Sequence, residues 1–87
     1  MHHGLAMDKV QSNAELVRVA AEWTHLATKC GRQAAAWVEQ GTRWSLTGDD
    51  HLGVAGKRVQ ALAEHSREMA AALREGAREL LDAAARD

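Results

Sequence analysis

The stretch AEWTHLATKCGRQAAAWVEQGTRW, residues 21–44, holds all three tryptophans of an 87-residue chain that has no Phe, no Tyr and no Pro. Trp23, Trp37 and Trp44 lie fourteen and then seven residues apart. Seven residues make two turns of an α-helix, so the three rings recur on one side of a helix, either as a ligand-binding ladder or as a packing seam. Extending the pattern decides between them. Alternating steps of four and three from Leu16 meet Ala20, Trp23, Ala27, Cys30, Ala34, Trp37, Gly41 and Trp44, and every member is apolar or glycine. The larger residues fall at 16, 23, 30, 37 and 44, and a small residue follows each of the first four. Knobs alternating with gaps are the pattern of a helix packed closely on another helix, and the tryptophans occupy the same positions as Leu16 and Cys30.

The chain outside this stretch completes a second helix. Ser12-Asn13-Ala14-Glu15 is a start signal for helix 1, since a Ser and a Glu three residues on can each satisfy an orphan backbone donor. Gly31 and Gly41 each weaken the helix by about 1 kcal/mol relative to alanine, so its end is expected to fray between Gly41 and Leu46. Ser45-Leu46-Thr47-Gly48-Asp49-Asp50 is the one interior cluster of turn formers. Thr47 or Asp49 can cap the next helix. From Leu52 a second stripe runs Leu52, Val59, Ser66, Leu73, Leu80, interleaved with Ala55, Leu62, Met69, Gly76 and Ala83, and flanked by Gly56, Ala63, Ala70, Ala77 and Ala84. The expected architecture is all-α: an N-terminal tail over 1–11, helix 1 over about 12–44, a turn over about 45–50 and helix 2 over about 51–86, folded as an antiparallel hairpin.

Two helices cannot enclose a core by themselves, because each apolar stripe is wider than one helix contact covers. A chain this short also buries only a modest share of its surface alone. A second hairpin, homo- or heteromeric, is therefore expected to complete a four-helix bundle. The stripes assign its interface to Leu16, Trp23, Cys30, Trp37, Val59, Leu62, Met69, Leu73 and Leu80. Trp23 and Trp37 are expected to be buried between helices. Trp44, at the mouth of the turn, should be more exposed and serve recognition.

Composition removes several function classes. A formal net charge of -1 and a pI near 6.5 supply no bulk attraction to nucleic acid or to an anionic membrane. Arg18, Lys29, Arg32 and Arg43 do line the outer face of helix 1, but Glu15, Glu22 and Glu39 border them and no aromatic projects there for base stacking. A single cysteine, Cys30, forms no internal disulfide. No apolar run of about 18 residues could span a bilayer, and no Sec-type signal core is present. Met1, His2 and His3 read as a natural start or as the remnant of an added tag, with Met7 as an alternative start.

Chemistry-bearing constellations are equally sparse. Glu22-Trp23-Thr24-His25 has the E-x-x-H spacing of di-iron bundles, but the helix phase turns Glu22 and His25 away from the seam. His65 and Glu68 likewise lie outside the second stripe. No hydroxyl has a histidine and an acid at an interpretable spacing, and Ser66, in an Ala-rich seam, is expected to bond its own helix backbone. No phosphate-cradling loop follows a strand. The expectation is a non-enzymatic association protein without cofactor or metal; the competing readings are a small ferritin-like metal-binding homodimer and a stand-alone dimeric adaptor or regulator.

WSLTGDD, residues 44–50, followed by a long helix ending MAAALREGARELLDAAARD, residues 69–87, resembles the WXG-type and EspC-like helical-hairpin proteins of actinobacterial type VII (ESX) secretion. The similarity covers residues 41–87, and helix 1 in length and pattern only. It implies a small secretion substrate or the heterodimeric partner of one, cytoplasmic before export by a non-Sec route, with a type VII secretion ATPase as a further partner. It also implies recognition at the turn through Trp44 and Gly48. Two departures stand against the family pattern: the turn reads W-x-x-x-G rather than W-x-G, and no Tyr is present for a Y-x-x-x-D/E export signal. Truncation before that signal, or its supply by the partner subunit, would account for the second.

Overall fold

The computed structural model describes the backbone of residues 2–86 and the side-chain surroundings of residues 11–86. Two helices make up the chain, α1 over His2–Ser45 and α2 over Asp50–Ala85. They run antiparallel, joined by a four-residue turn, in a rod whose Cα atoms extend 71 × 13 × 13 Å. The all-α hairpin expected from the periodicity is the fold, and its turn lies where Ser45–Asp50 was expected.

The start of α1 differs from expectation. The helix passes through Ser12 without a break and reaches back to His2, so the segment expected as a tail is helical. Residues 5–11, Leu-Ala-Met-Asp-Lys-Val-Gln, contain neither Gly nor Pro, and a capping signature within such a run has nothing to stop the helix upstream of it. Because α1 is 44 residues and α2 is 36, the first turns of α1 extend past the end of α2.

The seam is built from the smallest side chains. Ala20, Ala27, Ala34 and Gly41 are buried on α1, and Gly56, Ala63, Ala70 and Ala77 on α2, each set repeating every seven residues. At one end Gly41 and Gly56 meet: a Cβ added to Gly41 would lie 2.8 Å from the Gly56 carbonyl oxygen, and one added to Gly56 would lie 2.7 Å from that of Gly41. Carrying that register along the helices sets Ala34 level with Ala63, Ala27 with Ala70 and Ala20 with Ala77. Small residues at these positions let the two backbones approach closely, which larger knobs would prevent. Ser66 joins this buried line, and its hydroxyl donates across the seam to the Cys30 carbonyl oxygen at 2.8 Å. The expected bond to its own helix is replaced because the neighbouring backbone is near enough to accept.

The tryptophans therefore stand beside the seam rather than in it. Trp23, Trp37 and Trp44 are all half-buried in the single hairpin. The heptad of large residues is rotated by about 50° from the heptad of small ones, and close helix approach selects the small set for the contact line.

Candidate association face

The turn fixes how the two halves of the face meet. Gly48 adopts φ 81°, the left-handed conformation that a residue with a Cβ rarely takes. The Thr47 hydroxyl donates to the Trp44 carbonyl at 2.8 Å and accepts from the Asp49 backbone N–H at 3.2 Å. Asp49 Oδ1 then accepts from the Leu52 N–H at 3.0 Å, capping α2. Both residues proposed from sequence as caps take part: Asp49 as the N-cap, Thr47 as the brace behind it. Trp44 contributes its backbone to this network, and the role of Gly48 in the structure is conformational.

With the seam taken as the zero of phase, Leu16, Trp23, Cys30, Trp37 and Trp44 lie about 50° to one side on α1. Leu52, Val59, Ser66, Leu73 and Leu80 occupy the equivalent position on α2. In an antiparallel pair these equivalent flanks fall on the same broad side of the hairpin, and two contacts bear this out. A Cβ added to Gly76 would lie 2.6 Å from Cζ3 of Trp23, so the indole of α1 lies across α2. The Ser66–Cys30 bond joins the same two flanks. The interface residues named from sequence are thus gathered on one face: Leu16, Trp23, Cys30, Trp37, Val59, Leu73 and Leu80 are half-buried, and Leu62 and Met69 form its exposed margin.

Leu26, 45% exposed, and half-buried Val19 extend this face on α1 and were not named from sequence. They sit one position before Ala27 and Ala20, so the signal was present once the alanines, rather than the tryptophans, are taken as the centre of the seam. The opposite side of the hairpin is mixed. It carries Val17, Thr24, Thr28 and Val38 on α1 and Gln60, Arg67, Arg74 and Leu81 on α2, with no tryptophan. The hydroxyls of Thr24, Thr28 and Thr42 all return to carbonyls of their own helix four residues back.

Charged groups keep to the outside. Arg18 bridges Glu15 and Glu22, Arg43 pairs with Glu39 at 3.5 Å, and Arg67 with Glu64 at 3.1 Å. The hydrogen bond from Arg18 holds the Glu15 carboxyl below its ordinary range, and the same contact raises the Arg18 guanidinium. Glu22 is thereby engaged with Arg18, and His25 is exposed on the outer face. Among the described residues, no group of three or more His, Cys, Asp or Glu side chains is placed to hold a metal ion. Nor is any described helix long and apolar enough to cross a membrane.

No large side chain is fully buried among the described residues. Six alanine methyls at about 0.8 kcal/mol each contribute on the order of 5 kcal/mol, a thin hydrophobic term for a rod of this length. The larger apolar residues stay partly in water. What the fold presents is therefore an all-α hairpin whose three tryptophans lie on one side. Compared with protein-family models, with curated proteins and with solved structures, the chain matches none.

Proposed function

We propose that the chain is a non-enzymatic association module whose tryptophan-bearing face docks on another helical hairpin to form a four-helix bundle. The observation that carries this reading is the arrangement of apolar side chains. The buried seam uses only small residues, while Leu26, Leu62 and Met69 remain 45–51% exposed beside three half-buried tryptophans on the same side. Covering such a face is favourable at about 25 cal/mol per Å² of apolar surface removed from water. A second hairpin supplies a matching stripe with every helix still antiparallel to its neighbours.

On its resemblance to the WXG-type and EspC-like hairpins, we place the chain as a small type VII secretion substrate or the heterodimeric partner of one. A Trp and a Gly at the inter-helix turn and the Ala- and Leu-rich end of α2 support that placement, while the W-x-x-x-G spacing departs from it. Sedimentation of the chain alone, and of the chain mixed with each small helical hairpin encoded beside it, tests the association reading. A complex in either experiment is expected; a monomer in both contradicts it. Loss of export on removal of a type VII secretion ATPase is the corresponding test of the secretion role.

A further inference from the structure

We propose that the side of the hairpin away from the tryptophans is a second docking surface, and that its occupant is an acidic helix of another protein laid lengthwise between α1 and α2. The inference is independent of the association reading above, because no residue of the tryptophan-bearing face takes part.

About 40–100° from the seam on this side, the two helices present different walls. The α2 wall carries Lys57, Arg67, Arg74 and Arg78, all exposed, and between the first and last of them Glu64 is its one acid. Glu64 is engaged by Arg67 at 3.1 Å. Lys57, Arg74 and Arg78 make no ion pair among the described residues. Glu68, Glu75 and Asp82 lie further round, on the back of α2. The wall is thus basic along its length in a chain whose net charge is -1.

The α1 wall carries no charge over residues 17–42. Its inner row is Val17, Thr24, Gly31 and Val38, and its outer row is Ala21, Thr28, Ala35 and Thr42. The three threonine hydroxyls already donate to carbonyls of their own helix, so this wall can be covered without leaving a donor unpaired. Between the walls the groove is open, since a Cβ added to Gly31 would meet nothing within 4 Å. The seam register sets Arg67 level with Gly31, Arg74 with Thr24 and Leu81 with Val17, to within a residue. Exposed Val17 and Leu81 therefore form an apolar pair toward the open end, and half-buried Val38 lies toward the turn.

These features select the occupant. Intervals of ten, seven and four residues from Lys57 to Arg78 keep all four bases on one side of α2. A helix bearing Glu or Asp at the same intervals presents each carboxylate to a base, while its small and apolar residues lie on the α1 wall. Nucleic acid and an anionic bilayer fit the groove less well. Phosphates draw on hydroxyl as well as basic donors, and here the hydroxyls are engaged within α1 and one wall has no cation.

The probe is a synthetic alanine-based helical peptide with Glu at those intervals, added to the full chain isotope-labelled at its methyl groups. Saturable binding is expected, shifting the methyls of Val17, Thr28, Val38 and Leu81 and weakening as salt rises. A peptide with Lys in place of each Glu should not bind. Arg74→Glu/Arg78→Glu is expected to weaken binding about tenfold. Gly31→Gln fills the groove without changing charge and should also weaken it. Leu62→Glu/Met69→Glu spoils the tryptophan-bearing face and should bind the peptide as wild type does, so the two readings fail separately. No binding, shifts confined to Leu26, Leu62 and Met69, or wild-type affinity in either groove variant would overturn the proposal. Tighter binding to phosphatidylserine vesicles or duplex DNA than to the peptide would overturn the helical occupant and assign the bases to phosphate.

Discussion

Gly56→Ala is the substitution on which the close helix contact depends. Alanine is favoured over glycine in a helix interior by about 1 kcal/mol, so without a neighbour the change would stabilise α2. The new methyl, however, would stand 2.7 Å from the Gly41 carbonyl oxygen and 3.0 Å from Ser45 Oγ. Ser45 can rotate away, but the carbonyl belongs to the backbone of α1 and moves only if the helices separate. Separation would also loosen Ala34 against Ala63 in the next layer. Overpacking of this kind costs about 1–3 kcal/mol, and once the propensity gain is subtracted a net loss of up to about 2 kcal/mol is expected. For a chain of this size that lowers Tm by up to roughly 16 °C, where the unhindered change would raise it. Gly31→Ala and Gly53→Ala are the controls, because an added Cβ meets nothing within 4 Å at either position. Each should raise stability by about 0.5–1 kcal/mol. The assay is thermal unfolding followed by circular dichroism at 222 nm, with all three variants at one concentration. Should Gly56→Ala stabilise the protein as the controls do, the helices do not touch at Gly41–Gly56 and the seam is misplaced.

Trp23→Ala removes a half-buried ring from above Gly76, and is expected to cost about 1–3 kcal/mol, less than the ~3–5 kcal/mol of a fully buried aromatic; a loss confined to high protein concentration would place the ring wholly in the association contact. Asp49→Ala leaves the Leu52 N–H without its acceptor and should cost about 1 kcal/mol in chemical denaturation, with Asp49→Asn largely preserving stability. Glu15 titrates below its ordinary 4.5, so its stabilising bond to Arg18 is complete above that value and is lost as pH falls through the depressed one. The Tm difference between wild type and Glu15→Gln should accordingly be largest near neutrality and vanish in acid; a difference that grows on acidification would contradict the assignment.

The helical hairpin was legible because the evidence for it is local. Stripes of period seven, a cluster of turn formers at 45–50 and a carboxylate at position 49 each act within a few residues. The centre of the seam was not, although its residues were in plain view. Leu16, Trp23 and Trp37 dominate any hydrophobicity pattern, and the alanines at 20, 27 and 34 share their period at a small angular offset. Hydrophobic weight points to the rings, while backbone approach points to the methyls, and only the facing helix decides. Gly56, Ala63, Ala70 and Ala77, read from sequence as a flank, repeat at the same spacing and are the matching half. The association face came into view with the same rotation: moving the seam onto the alanines brings Leu26 and Val19 into line with Leu62 and Met69. The cross-helix bond of Ser66 was out of reach for the same reason, since it exists only where two backbones come close.

Leu62 and Met69 are 51% and 46% exposed in the single chain, so charging them should leave the hairpin intact while spoiling the face. Sedimentation equilibrium of the wild type and of Leu62→Glu/Met69→Glu, from micromolar to millimolar concentration and with helicity monitored in parallel, is therefore the most direct measurement. A wild type that associates as pairs of hairpins, beside a fully helical variant that stays monomeric, is the predicted result. A wild type that remains monomeric throughout, or a variant that associates equally well, would contradict the claim that this face is where the protein works.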